Sequence, residues 1–339
     1  MTDNIKTTIM NHPFPKSTSM AERYKRLIES FNQDDSVAIL INADPDSIAS
    51  AMALKRLFWR RVRKTEIYRI NTIKRLDNLA LIRLLNIKHK HIRGLNSAEI
   101  SGWAIVDSQP AHNELFGRYN YDVIIDHHPY DSTSRAPFVD IREEYGANST
   151  IMTEYLKSAG IKPSPKLATA LFYAIKTDTD NFVRSSAPSD INAFRYLYPF
   201  ANINMIKKIE ASEISRKNLD HFRIALENLR FVKDRALINM GKIQDPDILV
   251  IIADFFLKMA EATWSIVTGI YGNKLIIIFR NAGFRLDAGK VARKLFGQLG
   301  SAGGHSSAAR AELSLNDMKK VLNETHGIEQ FMMEKIKSM

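Results

Sequence analysis

One short segment of the chain combines an apolar run with three residues that can bind a metal or move a proton. Ile124 and Ile125 lead directly into Asp126, His127 and His128. Carboxylates and imidazoles are ligands that divalent transition metals prefer. If the apolar run is a strand, its rigid end can hold such side chains in a fixed geometry, and open parallel sheets bind ligands at the carboxyl ends of their strands. For this segment alone, a polar turn after a buried strand is the plain structural alternative.

Acidic residues follow two other apolar runs in the same way. Asp44 and Asp46 come just after a strand predicted over Ser36–Asn42, and Asp107 comes directly after one predicted over Trp103–Val106. In a parallel sheet these strand ends share one edge, so we expect the carboxylates to converge there. The sequence therefore predicts an acidic pocket rather than scattered surface charges.

A further acidic residue, Asp178, ends a predicted helix and can close over the same edge. The converging set is Asp44, Asp46, Asp107, His127 and Asp178. Like charges at close range disfavour ionisation, so this cluster predicts two bound divalent cations. Oxygen ligands with an imidazole suit manganese better than zinc, and magnesium, iron and cobalt are alternatives. Paired metals orient a water, lower its pKa and stabilise displacement at phosphorus, so the predicted chemistry is hydrolysis of a phosphate ester.

The composition is that of a globular protein that attracts anions. The chain has 339 residues, 45% of them hydrophobic and 25% charged, which leaves room for two ordinary domains. Lys and Arg number 48 and Asp and Glu number 37, which gives a net charge of +11. This positive charge favours phosphate-bearing partners, although solvation of the surface explains the excess of Lys and Arg equally well. The absence of cysteine excludes disulfides, thiolate zinc sites and cysteine catalysis. With no long apolar run and no secretory signal, we expect a cytoplasmic protein without membrane contact.

The first half of the chain alternates strand and helix patterns. Strands are predicted over Ser36–Asn42, Glu66–Ile70, Trp103–Val106 and Val123–Ile125. Helices are predicted over Met20–Phe31, Ile48–Arg60, Leu76–Leu85, Thr150–Ser158, Pro165–Lys176 and Ile191–Leu197. This alternation predicts an α/β fold whose N-terminal part is a mostly parallel sheet flanked by helices.

The second half predicts a smaller C-terminal α/β domain with a mixed sheet. Its strands are expected over Arg235–Met240, Thr263–Tyr271 and Lys274–Arg280, and its helices over Pro246–Ala260, over Asp287–Phe296 and near the C-terminus. A long stretch with few helix breakers, Ser212–Val232, predicts a helical connector. The predicted organisation is a loose arm over residues 1–18, a metal-binding catalytic domain over 19–205, a connector over 206–232 and a substrate-binding domain over 233–339.

The acidic motifs resemble, in order and rough spacing, those of the DHH phosphoesterases. The resemblance covers residues 36–182. The segment Asp44–Ala51 resembles their Asp-x-Asp motif, Asp107 their lone strand-end aspartate, Asp126–His128 the signature that names the family, and Thr177–Thr179 their fourth acidic motif. Each motif is weak alone, but the four in this order are specific.

A glycine-rich segment in the second half extends the resemblance. Residues 300–310 contain Gly303, Gly304 and His305 and resemble the Gly-Gly-Gly-His loop of the DHH-associated C-terminal domain. Arg280 resembles the substrate-binding arginine of that domain. Glycines let backbone amides approach a phosphate, and His305 and Arg280 can donate to its oxygens. A glycine turn that caps a helix, with His305 on the surface, is the structural alternative.

The resemblance implies a role for each residue of the acidic cluster. One metal would be held by Asp46, Asp107, His127 and Asp178, and the other by Asp44 and the bridging Asp107. His128 would face the substrate phosphate, which makes Asp107 and His128 the expected catalytic residues. Asp126 would contact these residues rather than the metal, or would serve as a replacement ligand.

The sequence departs from the family pattern at Leu40. The family's first motif usually has a metal-binding histidine four residues before the first aspartate, where this chain has Leu40. Asn42 is a candidate replacement ligand. We therefore expect one firmly held manganese and one labile manganese, with magnesium or cobalt as alternatives.

Two further segments carry structural expectations. Residues 146–151 resemble the family's Gly-Ala-x-x-Thr stretch, with Asn148 or Ser149 expected as a helix N-cap and a phosphate contact from their amides compatible with it. The basic stretch Arg60–Lys64 is expected to stabilise a helix end through the helix dipole rather than to contact nucleic acid.

The expected function is hydrolysis of short oligonucleotides or small nucleotides such as nanoRNA, 3′-phosphoadenosine 5′-phosphate (pAp) or a cyclic dinucleotide. The length and the two-domain plan resemble the compact oligoribonuclease (nanoRNase) and pAp-phosphatase branch of the family. A degenerate, non-catalytic nucleotide-binding module, supported by Leu40, and a polyphosphate hydrolase are the alternatives. The resemblance is also compatible with a homodimer.

Overall fold

The computed structural model describes residues 18–183, 186–213, 216–282, 286–318 and 327–339. Two compact units divide the chain, one extending to Glu213 and the other beginning at Ile214. Except for Thr18, the arm predicted over residues 1–18 lies outside the described residues. Among the helices of the described ranges, none has the length and apolar character needed to cross a bilayer.

The first unit contains a six-stranded sheet that is parallel throughout. Its strands are β1 (Ser36–Ile41), β2 (Lys64–Arg69), β3 (Lys90–His91), β4 (Gly102–Val106), β5 (Val123–Asp126) and β6 (Phe138–Ile141). Their order is β3-β2-β1-β4-β5-β6, and each neighbouring pair is parallel. The prediction of a mostly parallel sheet is confirmed. Strands β3 and β6 were not predicted, because β3 has only two residues and Asp140 interrupts the apolar run of β6.

Among the described residues, 3₁₀ turns and loops around Phe116 and Tyr121 cover one face of this sheet, and the other face is covered by α-helices. They are α1 (Met20–Ile28), α2 (Pro45–Leu57), α3 (Leu76–Leu84), α4 (Asn148–Ser158), α5 (Pro165–Asp178), α6 (Pro188–Leu197) and α7 (Ile203–Glu210). Along β1, Ile39 and Ile41 pack into the core with α2, α4 and α5, whereas Ala38 and Leu40 pack into a second core on the opposite face. Burial on both faces explains why the strand is continuously apolar.

The strand order reverses between β1 and β4. Leu40 lies in register with Ile105 across this pair, so the two strands end side by side. The chain leaves β1 toward Asp44 and leaves β4 through Asp107, which has a left-handed φ of 58°. In open parallel sheets the crevice beyond such a reversal is where ligands bind.

The second unit contains a mixed six-stranded sheet. Its strands are β7 (Leu229–Val232), β8 (Arg235–Lys242), β9 (Trp264–Tyr271), β10 (Lys274–Asn281), β11 (Gly300–Gly304) and β12 (Ala308–Ser314). The order is β11-β12-β10-β9-β8-β7, with β8 and β9 parallel and the other pairs antiparallel, as the mixed-sheet prediction requires. The described helices of this unit are α8 (Leu219–Glu227), α9 (Asp247–Phe256), α10 (Ala288–Phe296) and α11 (Ile328–Lys337).

Two expectations about this half were wrong. The helix predicted over Ser212–Val232 ends at Glu227, and Leu229–Val232 is a strand that pairs with β8. A tight connection through Lys233, whose φ is 58°, closes this hairpin, so cross-strand pairing overrides the helical tendency of the segment. The second expectation was a glycine-rich loop over residues 300–310. Most of this segment belongs to a strand pair, β11 and β12, joined by residues 305–307.

Candidate metal centre

Asp46 lies in the first turn of α2 and is almost fully buried. Its Oδ2 accepts a hydrogen bond from the backbone N–H of Asn148 at 2.6 Å, and its Oδ1 accepts one from Ser149 at 2.8 Å. The Asp46 carboxylate therefore accepts from the free N–H groups at the start of α4. The N-cap residue itself is Ala147, whose side chain makes no such bond. The prediction that Asn148 or Ser149 is the N-cap was wrong, because a side chain distant in sequence satisfies these amides. They are consequently occupied and not directed at a phosphate.

Asp44 is fixed at the start of α2 by a reciprocal cap. Its Oδ1 accepts from the N–H of Ser47 at 2.9 Å, and the Ser47 hydroxyl accepts from the N–H of Asp44 at 3.0 Å. The preceding residue, Ala43, is held by the side chain of Asn71, which accepts from its N–H at 2.8 Å and donates to its carbonyl at 3.1 Å. Asn71 follows β2, so a neighbouring strand positions the acidic turn.

His127 is the meeting point of the predicted ligands. Its Nε2 lies 3.2 Å from Asp178 Oδ2, 3.3 Å from Asp107 Oδ1 and 3.9 Å from Asp46 Oδ2. Its Nδ1 lies 3.1 Å from the carbonyl oxygen of Tyr145, and since a carbonyl only accepts, Nδ1 carries the proton. In the neutral ring, Nε2 then keeps its lone pair toward the carboxylates, as a metal-binding imidazole requires.

Asp107 has a buried oxygen that the protein leaves without a donor. The residue is 8% exposed, and within the described ranges no group donates a hydrogen bond to its Oδ1. Burial, and then the negative charges of Asp46 and Asp44, raise the pKa of Asp107 well above its usual value. A buried oxygen without a donor among like charges fits a cation ligand, because a bound cation would supply the missing partner.

The other members of the cluster show the same electrostatic conflict. Burial raises the pKa of Asp46, with partial opposition from the positive charge of His127. Burial and the charge of Asp46 raise the pKa of Asp178 to about 7. Burial opposes protonation of His127, but the charges of Asp46 and Asp178 outweigh it and raise its pKa. The carboxyl groups of Asp46, Asp107 and Asp178 around this imidazole all have a raised pKa, because burial and the neighbouring negative charges oppose their ionisation. Carboxylate oxygens around one imidazole match the ligand set of a divalent metal.

Asp126 has its oxygens engaged in hydrogen bonds that position its neighbours. Its Oδ1 accepts from the N–H of His127 at 2.8 Å and from Nδ1 of His128 at 2.9 Å, and its Oδ2 accepts from Gln109 Nε2 at 2.8 Å. Burial acts to raise the pKa of Asp126, but the bonds from His128 and Gln109 outweigh it and lower the value. The bond to Asp126 in turn raises the pKa of His128.

Two residues of the site were missed by sequence reasoning. Gln109 is fully buried, donates to Asp126 and to the Pro129 carbonyl, and accepts from the N–H of Asp131 at 2.8 Å. His112 has its ring 5.5 Å from that of His128. An imidazole five positions after Asp107 was a usable signal for His112, whereas an isolated glutamine gave none.

The potential ligands fall into three overlapping groups whose donor atoms lie within 4.8 Å of one another. The groups are Asp46, His127 and Asp178; Asp107, His127 and His128; and His112, Asp126 and His128. Asp44 is in none of these groups of the described residues, although its charge acts on Asp46, Asp107 and Asp178. Leu40 is fully buried in the core and offers no ligand, while Asn42 is exposed at the end of β1.

In the second unit, the predicted phosphate-binding arginine is engaged in an ion pair. Arg280 is the penultimate residue of β10, and its Nε donates to Asp254 Oδ1 of α9 at 2.5 Å. Its side chain is 20% exposed, against 48% for Asp254. The guanidinium is therefore held in place by a carboxylate that solvent reaches easily.

The glycines of the second unit serve close backbone packing. Gly304 has a φ of 149°, and a Cβ there would lie 2.3 Å from the Ala308 carbonyl oxygen. The N–H groups of Ala288 and Gly289 at the start of α10 donate to the carbonyls of Ser306 and His305 at 2.9 and 3.0 Å. Gly303 lies in β11, and His305 is exposed. The turn after β11 thus caps α10 through its carbonyl groups.

The comparisons with known proteins agree with this architecture. Residues 36–175, from β1 into α5, match the family model described as "DHH family, N-terminal domain". An uncharacterized protein of Methanocaldococcus jannaschii is 38% identical over 282 residues, which is 83% of this chain and 58% of that protein. An A-adding tRNA nucleotidyltransferase of Aquifex aeolicus is 24% identical over 199 residues, 56% of this chain and 23% of that enzyme. The chain thus spans less than two thirds of either curated relative.

Among solved structures, a crystal structure of an exopolyphosphatase-related protein from Bacteroides fragilis resembles the chain with a TM-score of 0.68. Sequence identity is 16%, and the alignment covers 95% of this chain and 98% of that one. At this identity the likeness shows the shared fold and does not extend to the substrate.

Proposed function

We propose, from the premise that residues 36–175 form a DHH family N-terminal domain, that this protein is a divalent metal-dependent phosphoesterase of short oligonucleotides or small nucleotides. The observation that carries the proposal is the environment of Asp107. Its buried Oδ1 accepts no hydrogen bond within the described ranges and lies 3.3 Å from Nε2 of His127. This atom lies where the strand order reverses, so both the fold and the local chemistry favour a cation there.

We propose Asp46, Asp107, His127 and Asp178 as the ligands of a firmly held manganese, which magnesium or cobalt could replace. Asp44, with Asp107, would hold a second and more labile ion, because Leu40 stands where the family motif has a histidine ligand. When bound, such ions supply positive charge to the phosphoryl oxygens and lower the pKa of a water.

His128 is the proposed donor to the substrate phosphate. Its Nδ1 proton is held by Asp126, and the raised pKa favours the imidazolium, whose Nε2–H can donate to a phosphoryl oxygen. Its side chain is 46% exposed, so a substrate can reach it. Gln109 keeps Asp126 oriented through its Nε2. Asp107 and His128 are therefore the residues on which we expect turnover to depend most.

The proposed substrate class rests on the resemblance to the nanoRNase and pAp-phosphatase branch and on the net charge of +11. We further propose that the second unit binds the substrate through Arg280, Gly303, Gly304 and His305. The exposed position of His305 leaves it available to an anion.

Manganese-dependent release of mononucleotide from a labelled dinucleotide tests the proposal. Parallel assays contain pAp, a cyclic dinucleotide and inorganic polyphosphate, and the variants are Asp107→Ala and, as an exposed carboxylate control, Glu114→Gln. We expect turnover in the wild type and in Glu114→Gln and none in Asp107→Ala. Equal background release by all three proteins would overturn the proposal, and turnover of polyphosphate alone would reassign the substrate.

A non-catalytic nucleotide-binding module is the second candidate, favoured by Leu40. A leucine offers no metal ligand, and this one is fully buried in the core, so the position does not supply the imidazole of the family motif. Calorimetric titration of the metal-free protein with manganese separates the cases. We expect one tight and one weak manganese site, together with turnover of the dinucleotide. Nucleotide binding without turnover would support the non-catalytic module. Two equally tight manganese sites would contradict the inference from Leu40.

A further inference from the structure

Trp59 lies on the surface of the first unit, two residues beyond the end of α2. Its side chain is 56% exposed. The guanidinium carbons of Arg56 and Arg60 lie 4.9 Å and 4.3 Å from the centre of its ring. Cation–π contacts of this kind hold an indole in place without burying it. The ring is therefore an ordered aromatic surface that solvent reaches.

Two cavities flank this indole and share Arg56 and Trp59 in their walls. One, of about 560 Å³, is also lined by Arg60 and Arg61, and the other, of about 470 Å³, by three lysines. Those lysines are Lys55, Lys88 and Lys166. Among the described lining residues, neither cavity has an aspartate or a glutamate. Every ionised side chain in their walls is thus a cation.

The partners of these cations in the described residues are mostly neutral. Arg61 donates to the Tyr24 hydroxyl at 3.2 Å, and Lys166 donates to the carbonyl of Asn86 at 2.7 Å. Burial and the nearby charge of Lys88 lower the pKa of Lys166. The cations thus lie near one another with no carboxylate among the described lining residues, so an anion would relieve their repulsion.

The carboxylate of Glu66 acts on one of these cations, and it is already engaged. It acts on Lys55, whose pKa is lowered by burial and by the charges of Lys64 and Lys90. Its two oxygens pair with Lys64 at 3.2 Å and Lys90 at 2.7 Å. Glu66 is therefore shared with two lysines that do not line either cavity.

An accessible aromatic face ringed by cations is the arrangement that binds single-stranded nucleic acid. Bases stack on aromatic rings, and the phosphates between them pair with Lys and Arg. A duplex hides its base faces, and the carboxylates of an acidic peptide pair with cations but do not stack on an indole. Of these partners, a single strand is the one that uses both features of the surface.

We propose that this surface, the Trp59 platform, binds single-stranded nucleic acid by stacking a base on the indole and pairing its phosphates with the surrounding cations. The platform consists of Lys55, Arg56, Trp59, Arg60, Arg61, Lys88 and Lys166. One of the two guanidinium groups leaves the ring when the base stacks and turns to a phosphate. This assignment replaces the expectation that the basic stretch from Arg60 serves only the helix dipole.

The platform is separate from the candidate metal centre. Asp44 and Asp46 lie at the N-terminal end of α2, and Trp59 follows its C-terminal end. At 1.5 Å per residue, the helix separates them by about 20 Å. Binding at the platform therefore does not depend on hydrolysis, and the two proposals fail independently.

Fluorescence anisotropy with a labelled single-stranded oligothymidylate of about 12 nucleotides, long enough for one stacking site and its flanking phosphates, tests the proposal. The assay contains EDTA, so no metal-dependent cleavage occurs. We expect Trp59→Ala to weaken binding about tenfold and Trp59→Phe, which keeps an aromatic face, to weaken it no more than about threefold. The exposed Arg118, outside both cavities, gives a matched charge control, and Arg118→Ala should bind as the wild type does.

The salt dependence gives a second readout. The double variant Arg56→Gln/Arg60→Gln should reduce the magnitude of the slope of log K against log salt by about 0.7, which corresponds to the one phosphate contact that the displaced guanidinium makes. This variant keeps Trp59 and also serves if Trp59→Ala does not fold, which circular dichroism would show.

Three results would overturn the proposal. The first is unchanged affinity in both Trp59→Ala and the double arginine variant. The second is tighter binding of a duplex of the same length than of the single strand. The third is displacement of the oligonucleotide by polyglutamate at equal charge concentration, which would assign the surface to an acidic protein instead.

Discussion

The acidic cluster of the first unit and the glycine-rich strand pair of the second unit are built in opposite ways. In the cluster, side chains from four chain segments converge, and hydrogen bonds to the backbone hold His127 and Asp46 in place. In the strand pair, close backbone contacts at Gly304 and Gly289 define the shape, and Arg280 on the neighbouring strand β10 is paired with Asp254, whose side chain is half-exposed. Preorganised, electrostatically strained groups are typical of a catalytic site, whereas an exposed, backbone-defined surface is typical of binding. We therefore expect turnover to depend on the first region and affinity on the second.

The largest expected effect separates kcat from KM. Asp107→Ala should lower kcat about a thousandfold, since it removes a proposed metal ligand and several kcal/mol of transition-state stabilisation. Arg280→Ala should instead raise KM about tenfold with little change in kcat, since it removes a uniform binding contact. Steady-state kinetics on the dinucleotide measure both. A kcat loss in Arg280→Ala as large as that in Asp107→Ala would break the comparison.

The next effect concerns stability rather than activity. Gly304→Ala places a Cβ 2.3 Å from the Ala308 carbonyl oxygen on a backbone with a φ of 149°. We expect the second unit to lose about 3 kcal/mol of unfolding free energy. Urea unfolding measures this loss, and manganese affinity, which depends on the first unit, should not change. Gly94→Ala, where a Cβ would meet nothing within 4 Å, is the matched control.

A smaller effect tests whether the cluster depends on its supporting residues. Gln109→Leu removes the bond to Asp126 Oδ2 and should lower activity or manganese affinity by about tenfold to a hundredfold. Because Asp126 orients His128, the pH dependence of kcat should also shift in Gln109→Leu. Gln109→Glu adds a charge beside Asp126 and should be worse than Gln109→Leu. Wild-type kinetics in both variants would show that the cluster is not positioned in this way.

The smallest expected effect is the pH dependence of the metal-free protein. The pKa of Asp178 is raised from 3.8 to about 7, so the unfolded chain ionises more easily than the folded one between these values. The stability of the metal-free protein should therefore fall as the pH rises from about 4 to about 7. In thermal melts we expect a Tm lower by a few degrees at the upper end.

Two variants and one addition check the origin of this pH effect. Asp178→Asn should flatten the dependence, Glu114→Gln should leave it unchanged, and excess manganese should reverse it. A Tm that is flat in the wild type, or that rises with pH over this window, would contradict the electrostatic account of the cluster.

Sequence patterns determined the ligand types and the edge of the sheet on which they meet. Asp107 and His127 follow apolar runs, and the side chains of parallel strands that end at one edge have little freedom to be elsewhere. The parallel sheet, the position of Asp178 at the end of α5 and the mixed second sheet followed from the same local periodicity. These features depend on neighbours close in sequence, which is why they could be predicted.

Only the tertiary structure decided which partner satisfies each polar group. Asp46 caps α4 across 102 positions of sequence, and Gln109 holds Asp126 across 17. The strand at Leu229–Val232 and the strand pair after Gly300 also form only because a partner strand is available. Hydrogen bonds between distant segments depend on the packed backbone, and no local pattern of residues encodes them.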